Sequence, residues 1–304
     1  MDGRKALLIA GPTASGKSAL AMRQAERLGG IVINADSMAV YRDLSILTGR
    51  PDAADLARVP HRLYGHRDGA APHSVGLWLA EAEAEIRRAW QAGAVPIVVG
   101  GTGLFFKALT QGLSEIPAVP EDIRVGLRAE TANLRPDVLH ARLAALDPLT
   151  AARLKPSDPQ RILRALEVFV ATGRPLAAFQ AERAPPMLPV ALRVGVVLAP
   201  DRETLRRCID QRFDLMIQRG ALGEVDALMR RGLDPALPVM RALGVPPMLA
   251  ALAGTLGLDD AVARSKAETR AYAKRQTTFA RHQLSDFARM RPEDGDETLA
   301  RLFR

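Results

Sequence analysis

One stretch near the start of the chain decides the fold: Gly11-Pro12-Thr13-Ala14-Ser15-Gly16-Lys17-Ser18. It matches the phosphate-loop pattern G-x-x-x-x-G-K-[ST] at every fixed position. The apolar run at 6–10 before it predicts a buried strand, and the helical period of 18–28 after it predicts a helix. In this context, loop N–H groups and the positive end of the helix face one point and favour an anion there. The sequence therefore predicts a diphosphate or triphosphate site, with Lys17 supplying charge and Ser18 placing its hydroxyl on Mg²⁺.

Composition excludes several classes of protein. The chain has 304 residues, of which 48% are hydrophobic, which is enough for one large core with an added lobe. The single cysteine, Cys208, excludes an internal disulfide and is typical of a reducing compartment. No apolar run approaches the roughly 20 residues that cross a bilayer, and the first apolar run leads into the phosphate loop rather than a signal-peptide cleavage site. We expect a cytoplasmic protein that does not contact a membrane.

The alternation of strands and helices predicts an α/β fold with a doubly wound parallel sheet. Strands are predicted at 6–10, 31–35, 95–99 and 192–198, and Ser74 is predicted to cap a helix that runs to about Ala92. Ligands of such sheets bind beyond the carboxyl ends of the strands. We therefore expect one cleft to be lined by the phosphate loop, Asp36-Ser37 and 100–103.

The middle of the chain has a different sequence pattern. Between 113 and 189, helical periods are broken by prolines and no convincing strand occurs. This pattern predicts a helical lobe inserted at 113–189 into a phosphate-loop core formed by 1–112 and 190–304. Everything after Asp201 is predicted to be helical.

Positive charge is concentrated near the end of the chain. The net charge is +8, and 264–291 contains eight basic residues against two acidic ones, a net of +6. The absence of Gly and Pro before Pro292 predicts one long helix there. Arg270, Lys274 and Arg281 would fall within about 40° on one face. Such a stripe is typical of a polyanion-binding surface, and an ordinary solvated face is the alternative.

Asp36 is the one acid at the carboxyl end of an early predicted strand. It could hold Mg²⁺, act as a general base beside the bound phosphates, or simply cap a helix that starts near Met38. The guanine-specific N-K-x-D motif is absent, and no second strand ends in the Asp-Glu pair of ATPases. The loop is therefore not attached to GTPase or ATPase machinery.

Six segments, in order along the chain, resemble the tRNA dimethylallyltransferases, and the resemblance covers about 5–288. It implies transfer of a dimethylallyl group from dimethylallyl diphosphate to N6 of an adenosine, with release of diphosphate. That adenosine is 3′-adjacent to the anticodon in tRNAs that read codons beginning with U. The matching segments are Gly11 to Ser18, Asp36-Ser37-Met38-Ala39-Val40-Tyr41, Pro60-His61-Arg62-Leu63, Gly100-Gly101-Thr102, Asp158-Pro159-Gln160-Arg161-Ile162-Leu163-Arg164-Ala165-Leu166-Glu167-Val168 and Tyr272-Ala273-Lys274-Arg275-Gln276.

The resemblance also implies roles for individual residues. Asp36 matches the general base, and Thr13 matches a residue that hydrogen-bonds the departing oxygens. Gly11 to Ser18 and Arg212 match the diphosphate site, with Mg²⁺ on Ser18. The partners implied are dimethylallyl diphosphate and a tRNA anticodon stem-loop, whose target adenine must leave its stack, and we expect a monomer. The implied tRNA contacts are Asp36, Ser37, Met38, Ala39, Thr102, Arg124, Gln160, Arg161, Ile162, Leu163, Arg164, Arg241, Gly244, Lys274, Arg275, Gln276 and Arg281.

Two departures from the family pattern concern the site. The family's R-I-x-x-R reads Cys208-Ile209-Asp210-Gln211-Arg212 here, so the first arginine is missing. Either a neighbour such as Arg207 or Arg212 takes its role, or the protein binds diphosphate more weakly; we expect a neighbouring arginine to take it. The family's G-Y-[KR] reads Gly244-Val245-Pro246. For Arg161 and Arg164, helix surface charge is the alternative to a phosphate contact.

Two other functions fit part of the sequence. A small-molecule kinase of the shikimate type would place ATP on the loop and the acceptor hydroxyl on Asp36, but it does not explain the basic helix. A non-catalytic tRNA-binding module would bind RNA without releasing diphosphate.

Overall fold

The computed structural model describes residues 5–302, which contain a six-stranded, fully parallel sheet in the order β3-β2-β4-β1-β5-β6. Leu8 of the central strand pairs with Val98 on one side and Gly195 on the other. The α/β doubly wound prediction is therefore confirmed. The strands are β1 Ala6–Ala10, β2 Gly30–Asn34, β3 His61–Arg62, β4 Val95–Gly100, β5 Arg193–Leu198 and β6 Ala288–Met290.

The chain divides into two compact units, one running up to Thr110 and resuming at Met187, the other Gln111–Pro186. Helix α3 of the first unit begins at the predicted cap, where the Ser74 hydroxyl accepts a hydrogen bond from the Leu77 N–H at 3.2 Å. The helices that belong to the first unit or begin in it are α1 Lys17–Leu28, α2 Ala53–Arg58, α3 Val75–Gln91, α4 Gly103–Gln111, α10 Arg202–Gln218, α11 Ala221–Arg230, α12 Val245–Leu252, α13 Leu258–Gln283 and α14 Gly295–Leu302.

The second unit, within Gln111–Pro186, is built from helices alone. Its core is formed by fully buried side chains such as Leu143, Ile162 and Leu166. Asp147 caps a short helix inside this core by accepting the Thr150 N–H at 2.9 Å. The helices are α5 Glu121–Thr131, α6 Pro136–Leu146, α7 Pro148–Ala151, α8 Pro159–Thr172 and α9 Leu176–Ala181.

Both faces of the sheet are covered in the first unit. Because side chains alternate along a strand, Leu8 packs into one core with Trp78 and Phe106, while Leu7 packs into the other with Leu20. Burial on both faces explains why the central strands are unbroken apolar runs. None of the helices within residues 5–302 has the length and apolar character needed to cross a bilayer.

Two predictions about the end of the chain were wrong. The basic segment is not one helix to Arg291, because α13 ends at Gln283. The chain after Asp201 is also not helical throughout, since β6 follows and pairs with β5. Phe287 turns into the core before the strand, which fixes the chain against the sheet edge. The two-residue strand β3 was likewise not predicted.

Candidate active site

The phosphate loop links the carboxyl end of β1 to the start of α1. Gly16 adopts φ 82° at the N-cap of α1, and Ala14 has φ 62°, which is uncommon for a residue with a side chain. The Ser15 N–H donates to the Pro12 carbonyl at 3.3 Å and closes the turn. The loop therefore has the left-handed positions that a phosphate loop needs to turn its amides inward.

A pocket of about 90 Å³ adjoins this loop. The three segments expected at the strand ends meet here, because the pocket is lined by the loop, by Asp36 and by Gly100. Apolar side chains such as Val32 and Val99 line it together with these polar groups. The pocket thus has one polar part and one apolar part.

Two cations face this pocket without a matching anion. Burial, and then repulsion from Arg212, lower the pKa of Lys17 to about 8, although Asp36 partly offsets the shift. Burial also lowers the pKa of Arg212. Lys17 Nζ donates to the Pro12 carbonyl at 3.1 Å, and Arg212 Nη1 donates to Thr13 Oγ1 at 3.4 Å. Within the described part of the chain neither cation forms an ion pair, so the pocket favours an incoming anion.

Asp36 is held by a side chain that the sequence analysis did not identify. Asn34 accepts the Asp36 N–H at 2.8 Å and donates to the Asp36 carbonyl at 2.9 Å. Asn34 is itself only 1% exposed, and its own carbonyl accepts from the Trp78 indole at 2.8 Å. The only sign of this role in the sequence was that Asn34 is a polar residue within an apolar strand.

The carboxylate of Asp36 does not cap a helix, since no helix begins near Met38. Asp36 Oδ1 accepts the Met38 N–H at 2.9 Å within a turn, and the half-buried side chain lines the pocket. Thr102 supports the same turn, because its Oγ1 accepts the Ser37 N–H at 3.0 Å. The local structure therefore presents a fixed carboxylate beside the phosphate loop.

The side chain of Gln276, a predicted tRNA-contact residue, is hydrogen-bonded within the site. It is 8% exposed, its Oε1 accepts the Thr13 N–H at 2.9 Å, and its Nε2 donates to the Gly101 carbonyl at 2.9 Å. A Cβ at Gly101 would lie 2.1 Å from Gln276 Nε2, so glycine is needed there. The side-chain amide of Gln276 therefore links the phosphate loop to the loop after β4, through its oxygen and its nitrogen.

The exposed cations of α13 are fewer than the sequence suggested. Arg270 pairs with Asp210 at 2.5 Å, and Lys266 pairs with Asp214 at 2.6 Å. Lys274 and Arg281 are exposed and make no ion pair with the described residues, and exposed Arg275 lies 5.6 Å from the Tyr272 ring centroid. Arg270 is therefore paired rather than free, and of the predicted stripe Lys274 and Arg281 stay exposed, together with neighbouring Arg275.

Within the second unit, the predicted contact residues differ in exposure. Gln160 is exposed, but Ile162 is fully buried in the core of the unit, and Leu163 packs against that core. A contact of Ile162 with tRNA stays a prediction, although the side chain itself is buried. Arg124 and Arg161 are in surface pairs, which contribute little to stability: Arg124–Glu121 at 2.9 Å and Arg161–Asp158 at 3.3 Å. Arg164 lies 3.6 Å from Glu167, whose side chain is buried.

Two further predicted contact residues are buried. Gly244 is buried with φ 88° at the N-cap of α12, and Ala39 is only 2% exposed, so either could offer only backbone atoms. Arg241 is exposed at the end of the 3₁₀ turn Pro238–Arg241. Val245, which replaces the family's tyrosine, is fully buried.

Cys208 faces the phosphate loop from α10. It lines an open cavity of about 420 Å³ together with Gly16, Ser18 and Arg212. Arg207 is exposed and lies 3.4 Å from Thr204 Oγ1, and it does not line this cavity. The expected replacement by Arg207 is therefore not supported, and Arg212 is the cation of this helix beside Thr13.

The pocket offers oxygen donors, the Ser18 hydroxyl and the Asp36 carboxylate, which suit a hard cation such as Mg²⁺. Away from it, the ligand atoms of His66, His73 and Glu81 lie within 4.8 Å of one another. Both imidazoles contact one Glu81 oxygen at 3.0 Å, and Arg67 binds the other oxygen. We interpret that group as an ion network that ties the segment before α3 to the helix.

Comparisons with known proteins agree on one family. The family model described as IPP transferase matches residues 39–283, and that described as isopentenyl transferase matches 4–69. The chain is 61% identical over 291 residues to a tRNA dimethylallyltransferase of Methylocella silvestris, and 58% identical to one of Beijerinckia indica, covering 96% of each chain in both cases.

Solved structures agree as well. The full-length tRNA isopentenylpyrophosphate transferase of Bacillus halodurans matches with a TM-score of 0.69 at 32% identity, covering 99% of this chain and 94% of that one. A eukaryotic dimethylallyltransferase acting on tRNA matches with a TM-score of 0.79 at 27% identity, covering 95% and 74%. Because the family model spans most of the chain and relatives match it over nearly their whole length, the chain belongs to the tRNA dimethylallyltransferase family.

Proposed function

We propose that this protein transfers the dimethylallyl group of dimethylallyl diphosphate to N6 of the adenosine 3′-adjacent to the anticodon, in tRNAs that read codons beginning with U. Diphosphate is the second product. The observation that carries the proposal is the pair of unpaired cations, Lys17 and Arg212, beside the Asp36 carboxylate in one half-apolar pocket. The cations suit a diphosphate, the apolar lining suits a five-carbon chain, and the carboxylate suits the acceptor amine.

The proposed reaction forms a C–N bond as the allylic C–O bond breaks. The electron pair of the C–O bond leaves with diphosphate, where Lys17, Arg212 and the loop amides stabilise the growing charge. Thr13 Oγ1, held by Arg212 at 3.4 Å, is placed to donate to the departing oxygens. Mg²⁺, held by Ser18, would neutralise further charge on the diphosphate.

Asp36 is the proposed base for the N6 proton. The amine is a poor nucleophile because its lone pair is delocalised into the adenine ring, so removing a proton as the bond forms lowers the barrier. Asn34 fixes the backbone of Asp36 on both sides, which keeps the carboxylate aimed at the pocket. The walls of the pocket limit access of water to the allylic carbon.

Recognition of tRNA is proposed for exposed cations of both units. In the first unit these are Lys274, Arg275 and Arg281 of α13 and Arg241. In the second they are Arg124, Arg161 and Arg164, within the predicted lobe 113–189. The half-buried side chains of Ser37, Met38 and Thr102 adjoin Asp36, where we propose that the flipped adenine enters. We propose a cytoplasmic protein, because the single cysteine suits a reducing compartment. We propose a monomer, because one chain supplies the loop, Asp36 and Arg212 of the pocket.

Transfer assays separate this function from the alternatives. Purified protein is incubated with unmodified tRNA, dimethylallyl diphosphate and Mg²⁺, and modified adenosine and released diphosphate are measured. We expect equal amounts of both products without ATP consumption. ATP turnover with a small acceptor would favour the kinase, and tRNA binding without diphosphate release would favour the non-catalytic module.

A further inference from the structure

The loop between Ser45 and Arg50 has an unusual anchor. The carboxylate of Glu224, on α11, accepts hydrogen bonds from three consecutive backbone N–H groups of this loop: Ser45 at 2.5 Å, Ile46 at 2.8 Å and Leu47 at 3.0 Å. The Ser45 hydroxyl donates to the same carboxylate at 3.0 Å. Consecutive amides around one anion form a nest, so the Glu224 side chain fixes the first half of this loop.

The opposite side of the loop is also fixed. Arg50 Nη1 donates to the Tyr41 carbonyl at 3.1 Å and to the Arg42 carbonyl at 3.3 Å. Within the loop, the Gly49 N–H donates to the Ile46 carbonyl at 3.0 Å, and the Arg50 N–H donates to the Ser45 carbonyl at 3.0 Å. Gly49 is therefore held between two anchored segments.

Gly49 is the point where the loop meets the diphosphate site. Its φ is +60°, and an added Cβ would lie 2.0 Å from Arg212 Nη2 and 3.1 Å from Arg212 Cζ. The guanidinium thus lies directly against the α-carbon of Gly49, in space that any side chain would fill. Arg212 reaches Thr13 from this position.

We propose that Glu224 is a positioning residue for diphosphate: it fixes the Ser45–Arg50 loop so that Gly49 forms a backbone seat for the Arg212 guanidinium. This inference rests on the proposed function for the identity of the ligand. Removing the carboxylate leaves three N–H groups without their acceptor, so the loop relaxes and the guanidinium loses the surface that holds it. Arg212 then contacts diphosphate from a wider range of positions, and each contact is weaker.

The test measures binding of inorganic diphosphate with Mg²⁺ by titration calorimetry, without tRNA. We expect Glu224→Ala to raise the Kd by about tenfold, the usual effect of loosening one charge-assisted hydrogen bond. In an Arg212→Ala background, Glu224→Ala should have almost no further effect, because the two residues act as a unit. An equal loss in both backgrounds would show a general structural effect and overturn the proposal.

Gly49→Ala provides a second test that does not depend on Glu224. Its matched control is Gly254→Ala, since Gly254 also has a positive φ, +72°, but nothing within 4 Å of an added Cβ. Both variants place a side chain at a positive φ, which is strained, and only Gly49→Ala should weaken diphosphate binding. Equal affinities for the two variants would contradict the seat.

Controls separate this inference from the proposed function. Glu268→Ala removes another carboxylate that is paired with an arginine, Arg264 at 2.9 Å, and should leave the Kd unchanged. Thermal melts would show whether each variant folds. Because the probe is inorganic diphosphate, coupling between Glu224 and Arg212 would stand even if the wild-type protein transferred no dimethylallyl group, whereas failed transfer would count against the proposed function alone.

Discussion

Raising the pH from 7 to 9 is expected to weaken binding of dimethylallyl diphosphate by about tenfold. The reason is Lys17, whose pKa burial and the nearby Arg212 lower to about 8. In the free protein, Lys17 is then about nine-tenths protonated at pH 7 and about one-tenth at pH 9. A bound diphosphate raises the pKa again, because it favours the ammonium form.

The coupling between proton uptake and binding determines the direction in which the Kd changes with pH. Below pH 8 the binding site is charged already and affinity is at its maximum. Above pH 8, Lys17 must take up a proton when diphosphate binds. The Kd therefore rises by up to tenfold per pH unit, until the pH reaches the pKa of Lys17 in the complex. The ligand contributes little, since the last ionisation of a phosphate ester has a pKa of about 6 and is largely complete by pH 7.

Titration calorimetry at fixed Mg²⁺ measures this effect. Repeating the titration at pH 8 in buffers of different ionisation enthalpy should reveal uptake of about half a proton per ligand. Lys17→Met should bind weakly with a flat profile between pH 7 and 9. A wild-type affinity that does not change over this range, with no proton uptake, would refute the assignment of a poised Lys17.

Three further variants test other parts of the site. Asp36→Asn should leave diphosphate binding intact and slow single-turnover transfer by about 10²–10⁴-fold; an unchanged rate would remove Asp36 as the base. Reversing charge at Lys274 and Arg281 should weaken tRNA binding and reduce its log–log salt slope by up to about one unit per lost phosphate contact, whereas a wild-type slope would show a merely solvated face. Cys208→Arg should lower the KM for dimethylallyl diphosphate, because the open cavity of about 420 Å³ can accommodate a second guanidinium beside the loop; reduced activity would instead indicate that the space is needed empty.

Local patterns made much of the fold predictable. The phosphate loop, the four longer strands and the Ser74 cap depend on residues adjacent in the sequence, and each lies within one or two residues of its predicted place. Strands β3 and β6 were missed because two or three residues carry no period, and they form only by pairing with the sheet edges. The end of α13 could not be predicted either, because the chain leaves the helix where Phe287 packs into the core, and this contact is not visible in the sequence.

The site was predictable only in part. The lining of the pocket by the loop and Asp36 followed from strand order, but the residues that hold these groups act across long distances in sequence. Glu224 contacts a loop nearly 180 residues earlier, and Gln276 reaches back to Thr13. For Gln276, the motif match identifies the residue but not the direction of its side chain, and its contact with tRNA stays a prediction. The structure shows that the Gln276 side chain is buried and joins two loops through hydrogen bonds.

Nucleoside mass spectrometry of tRNA, from cells with and without this protein, tests the proposed transfer most directly. We expect N6-dimethylallyl adenosine, or its further modified forms, next to the anticodon in tRNAs that read codons beginning with U, and its loss when the protein is absent. Restoration by the wild-type chain but not by Asp36→Asn would tie the product to this site. Identical nucleoside profiles with and without the protein would contradict the proposed function.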